Sequence, residues 1–78
     1  MSLPTYLHAD GGHYVIVTDF NFQMKMDDGR WAPAVLYRRV HVGADGQWQY
    51  EGSNQFATTK ERWAERFHAT GETTARML

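Results

Sequence analysis

No residue of this chain is a cysteine, which excludes a disulfide framework and thiolate metal sites and suits a reducing compartment. Neither sign of charge dominates: eight Lys and Arg stand against nine Asp and Glu, and the isoelectric point lies near 6.4. A dedicated duplex-DNA binder is usually basic, so that class is disfavoured. No apolar run approaches the roughly 20 residues that span a bilayer. Met1–His8 lacks both the basic start and the apolar stretch of a secretory signal. These absences predict a cytoplasmic protein with no membrane contact. There is also no Ser-His-Asp order, no phosphate-cradling glycine loop and no nucleotide motif. A chain of 78 residues makes one small domain, 1–78, with little volume for an enclosed pocket. The expectation is a non-enzymatic protein without a cofactor.

What the chain does have is alternation. From Tyr14 to Met26, the even positions read Tyr, Ile, Thr, Phe, Phe, Met, Met, and the odd positions from Asp19 onward are polar. Side chains point to opposite faces at each step of a strand, so this period predicts one long strand with a single buried face. Phe20 and Phe22 are then core residues. Asp27-Asp28-Gly29 predicts a hairpin turn, because glycine tolerates positive φ and aspartate bonds its neighbouring backbone. A second strand follows over Arg30–Val42, rich in β-branched and aromatic residues, with Pro33 marking an edge, a bulge or its true start. Gly43-Ala44-Asp45-Gly46 is a second turn, and Gln47–Tyr50 a third strand. Ahead of these, Thr5–His8 reads as a possible short strand before a turn at Ala9-Asp10-Gly11-Gly12.

The period then changes. Thr58-Thr59-Lys60-Glu61 matches a capping box with Thr58 as N-cap, opening an amphipathic helix over about 59–68, with Gly71 as its stop. The predicted fold class is α+β: a bent antiparallel three- to four-stranded meander, SH3-like or an open sheet, with one C-terminal helix. The ordered core would run over about 5–70 and the tail, 71–78, would fray.

Aromatic residues make up 14% of the chain, more than so small a core needs. Arg30, Trp31, Tyr37, Arg38 and Arg39 on the second strand, with Trp48 and Tyr50 on the third, interleave rings and guanidinium groups. Trp, Tyr and Arg are the residues most enriched at protein-binding hot spots, so a protein partner is expected there. The same mixture suits single-stranded nucleic acid, where bases stack on rings and arginines meet phosphates. A third reading is a metal-dependent role at His8, Asp10 and His13, which lie within six residues around a glycine turn. His41 and His68 are placed at the end of a strand and of the helix, where no catalytic role is required. The length of the first strand also predicts a homodimer through the 20–29 hairpin.

The run Gly12-His13-Tyr14-Val15-Ile16-Val17, the run Ala34-Val35-Leu36-Tyr37-Arg38, the strand at Trp48 and the closing Trp63-Ala64-Glu65-Arg66-Phe67 resemble a family of small bacterial domains of unknown function. The resemblance covers about residues 12–68 and implies an SH3-like barrel with no assigned activity. The chain departs from the pattern at Asn21–Met26, where such domains are shorter. In size and composition it also resembles prophage or plasmid accessory proteins, some of which block host-defence complexes by binding them.

Overall fold

The computed structural model describes residues 3–18 and 21–74. Its elements, in chain order, are β1 (Pro4–His8), β2 (His13–Ile16), β3 (Phe22–Lys25), β4 (Trp31–Val42), β5 (Trp48–Tyr50), β6 (Phe56–Thr59), helix α1 (Lys60–Arg66) and β7 (Phe67–Thr73). Every pairing is antiparallel. Strand β4 is the axis: β3 and then β2 lie along one edge, β6 and then β5 along the other. The sheet continues from β2 to β1 and from β1 to β7. Pro33 lies where β3 has joined β4 and β6 has not, so its missing N–H falls beside a free edge.

Each of the three expected turns closes in the same way. Asp10, Asp28 and Asp45 each accept the amide two residues on, at 2.7, 3.0 and 3.0 Å. The glycine that follows each aspartate has positive φ, 90°, 87° and 78°. The local chemistry of Asp-Gly thus sets all three hairpins.

The expected three- to four-stranded meander with a terminal helix is overturned: seven strands hold 56% of the described residues, and the helix is internal. Three causes account for this. The long alternating segment is two strands, not one. Tyr14 pairs with Arg39 and Ile16 with Tyr37, whereas Phe22 pairs with Ala34 and Met24 with Ala32. From Ile16 to Phe22 is six residues, but from Tyr37 to Ala34 is three, so three extra residues lie between the strands. An odd shift moves the apolar set to the opposite side of the strand. The expected single face is therefore two, and Phe22 is only half-buried; Phe20 lies outside the described residues. Secondly, Phe56–Thr59, which reads as the approach to a helix, is strand β6. Thr58 pairs with Val35 there, and the N-cap is Thr59, whose hydroxyl accepts the Arg62 amide at 3.1 Å.

Thirdly, Gly71 is not a stop. The helix ends at Arg66, and His68, expected at its C-terminus, lies in β7. Strand β7 pairs with β1 across a bulge, with Pro4 opposite Thr73 and Tyr6 opposite Ala69. Gly71 adopts φ +84° within it. The bulge is filled by hydroxyls: those of Thr5 and Thr70 are 2.6 Å apart, and Thr5 donates to the Glu72 carbonyl at 3.1 Å. Thr5 and Thr74 are fully buried, and Thr74 exchanges bonds with Leu3. Residues 71–73 thus belong to β7 and Thr74 is bonded to Leu3, so this stretch is not a frayed tail; 75–78 lie outside the described residues.

Two apolar clusters sit on opposite sides of the sheet. Tyr14, Val35, Trp63 and Phe67 form one, extended by Tyr6, Ile16 and Tyr37; Val15 and Val40 form the other, with Leu3, Val17, Trp48 and Tyr50. The single buried helical residue, Trp63, stacks on Phe67 with ring centroids 3.7 Å apart. No helix among the described residues is long and apolar enough to cross a membrane.

Loss of the cap in Thr59→Ala lowers stability by about 1 kcal/mol, while Thr59→Ser retains it; equal melting midpoints for the two variants contradict the cap. At Gly71 an added Cβ meets no atom within 4 Å, so Gly71→Ala tests the backbone alone. It lowers the midpoint by several degrees, corresponding to about 1 kcal/mol, and an unshifted midpoint contradicts the positive φ.

Candidate binding surfaces

The seven residues expected to form one surface are divided among three places. Trp31 stands at the start of β4, opposite Lys25, and is 62% exposed. Arg30 precedes it in the hairpin loop, where its Nε donates to Asp28 Oδ2 at 2.6 Å. Both partners are largely solvated, so the pair contributes little to stability. The Arg30 backbone amide, and next its side chain, hold the Asp28 carboxyl below the usual carboxylate range. Met26, 37% exposed, lies across the same loop. Two shallow cavities of 320 and 410 Å³ flank this tip, both lined by Met26, Thr59 and Glu61.

Arg38, Trp48 and Tyr50 come together at the other end of β4. Side chains alternate along the strand, so Arg38 joins Val40 on the side of Trp48 and Tyr50, whereas Tyr37 and Arg39 join Tyr14. The Arg38 guanidinium lies 3.8 Å over the Tyr50 ring and donates to the Gly52 carbonyl at 2.7 Å. Its Nε is buried without a partner among the described residues, shielded by that stack. Trp48 packs on His13, ring centroids 5.4 Å apart.

Arg39 pairs with Glu51 at 3.0 Å, and His41 Nδ1 lies 3.6 Å from the same carboxylate. A Cβ on Gly12 would sit 2.9 Å from the Arg39 guanidinium, so glycine there gives the arginine its room. Tyr37 belongs to the core cluster of Tyr14 and Phe67.

The residues considered for a metal are separated. His8 and Asp10 meet at 3.2 Å, but His13 pairs with Leu7, the neighbour of His8, and points to the opposite side. Among the described residues no three His, Asp or Glu groups gather as a metal site. His8 Nδ1 accepts the Asp10 amide at 3.0 Å, so it can donate to the Asp10 carboxylate only by giving up that bond. The Gly12 amide holds the Asp10 carboxyl below its usual range, and burial raises the Tyr14 hydroxyl above its own. At 3.3 Å the two form a fixed donor and acceptor at neutral pH.

Phe56 carries no surface signal in the sequence, whereas Met26 falls within the 20–29 hairpin expected to meet a second copy. Phe56 follows the polar stretch Glu51-Gly52-Ser53-Asn54 and belongs to no apolar pattern. No family model matches the chain, and comparison with curated proteins and with solved structures returns no match.

If the Arg38 stack on Tyr50 is energetic as well as geometric, a double-mutant cycle of Arg38→Met and Tyr50→Leu yields a coupling of about 0.5–1 kcal/mol. Additive losses by chemical denaturation show that the contact contributes nothing beyond its separate halves.

Proposed function

We propose that the protein is a small non-enzymatic interaction module that engages a protein partner through the tip of the β3–β4 hairpin. The observation that carries this reading is Trp31, a tryptophan 62% exposed beside Arg30 and Met26. An indole left in water forgoes a large burial energy within its own fold, and Trp and Arg anchors dominate protein-binding hot spots. The adjoining cavities offer places for a partner's side chains.

The charge around the tip favours protein over nucleic acid. Lys25, Arg30, Lys60 and Arg62 are matched by Asp27, Asp28, Glu61 and Glu65, so no basic field is available to hold a phosphate backbone. A second copy of the chain through the 20–29 hairpin is the simplest protein partner. A cytoplasmic setting is consistent with the absence of cysteine.

Trp31→Ala is the test, in pull-downs from native lysate with and without nuclease, alongside wild type. The variant is expected to lose the captured protein, weakening affinity roughly tenfold or more, while shifting the melting midpoint by less than about 4 °C. Retained capture by Trp31→Ala overturns the reading, as does capture that depends on nucleic acid or falls steeply with salt. Sedimentation equilibrium identifies a self-partner as a species heavier than 9.0 kDa that Trp31→Ala dissociates.

A further inference from the structure

A cavity beside the β1–β2 turn plays no part in the hairpin surface. It measures 200 Å³ and is lined by His8, Asp10, Tyr14, Tyr37, Phe56 and Phe67. Five of these six are aromatic rings and the sixth is a carboxylate. The rings are mutually braced: Phe67 lies 5.2 Å from Tyr37, 5.4 Å from Tyr14 and 4.6 Å from His8, and Phe56 lies 5.6 Å from Tyr37. They come from β1, β2, β4, β6 and β7, so five strands must pair before the cavity exists.

We propose that this cavity binds a methylated ammonium group, the head of a longer ligand such as a choline compound or a trimethylated lysine. Aromatic faces carry negative potential, and a cation within about 6 Å of a ring is attracted to it. The Asp10 carboxylate adds a full negative charge at the same place and is fixed by the Gly12 amide at 2.7 Å and the Tyr14 hydroxyl at 3.3 Å. An anion meets repulsion from both.

Two arginines lie nearby. Arg39, with Cζ 5.7 Å from the Tyr14 ring centre, is neutralised by Glu51, and Arg66 acts on the Tyr37 hydroxyl from the last turn of the helix. Their charge opposes any cation, so the rings must supply the attraction, and they favour a weakly hydrated cation over a bare ammonium that must shed strongly held water. The volume is below the roughly 300–1,000 Å³ of sites that enclose a drug-sized molecule, and it matches a head group.

The test is a titration of the ¹⁵N-labelled protein with choline chloride, followed by amide chemical shifts at constant ionic strength. The comparison ligand is 3,3-dimethyl-1-butanol, the uncharged carbon analogue of choline. Choline is expected to bind in the millimolar range and to move the amides of Asp10, Tyr14, Phe56 and Phe67, with the alcohol about three- to thirtyfold weaker. Phe56→Leu and Asp10→Asn each weaken choline by a similar factor; both residues are exposed, so the fold is retained.

Trp31→Ala binds choline as wild type does, which keeps this site distinct from the hairpin. A peptide carrying trimethyllysine, run against its unmodified form, identifies the carrier if it binds more tightly than choline. Equal binding of choline and the alcohol overturns the proposal, as do shifts that do not cluster at the cavity or variants that bind as wild type.

Discussion

Strand β4 carries the architecture because strands flank both its edges between Ala34 and Val40 and one edge beyond. Its 12 residues at about 3.3 Å each reach about 40 Å. Four strands dock on it, and the segments on either edge must break and resume to follow it. That requirement explains why the 13–25 segment and the 48–59 segment each appear as two strands, not one. From Ile16 to Phe22 and from Tyr50 to Phe56 the paired segments carry three residues more than β4 does. Both edges thus carry an insertion of the same size, opposite 34–37 on one side of β4 and opposite 37–40 on the other.

Burial on both sides follows from the same arrangement. Tyr14 and Val15 are consecutive and both buried, which a one-faced meander cannot supply. Each has its own cluster, aromatic beneath the helix and aliphatic on the far side. The aromatic cluster is held by edge-to-face contacts among Tyr6, Tyr14, Tyr37 and Trp63, the arrangement that ring quadrupoles favour. A helix of only seven residues suffices because Trp63 and Phe67 do the covering between them.

Local chemistry was legible in the sequence and long-range register was not. Asp10, Asp28 and Asp45, each followed by glycine, marked three hairpins because an aspartate cap and a positive φ are properties of adjacent residues. Pro33 marked a free edge for a similarly local reason. The apolar alternation from Tyr14 to Met26 reads as one face because period two says nothing of an odd insertion between two strands. Gly71 reads as a helix stop because glycine serves bulges and helix ends alike, and only the pairing of β7 with β1 separates the two. The cap lies one residue later than expected because Thr58 and Thr59 carry equivalent acceptor hydroxyls, and β6 pairing decides between them. Among the expected binding residues, Arg38, Trp48 and Tyr50 were brought together, while Trp31 and Tyr37 were parted by strand length and by side. The cavity near His8 drew rings from five strands, a juxtaposition that no local window contains.

The contact between Leu3 and Thr74 brings the two described ends of the chain to within one strand spacing of each other. Joined by a short peptide, the backbone becomes a closed loop whose fold no longer depends on where it is cut. The solvent-exposed turns at Gly29 and Gly46 are the natural places to reopen it, giving circular permutants with the same strand pairings. The same geometry lets the entire domain be grafted into a surface loop of another protein, entering and leaving as a single stalk.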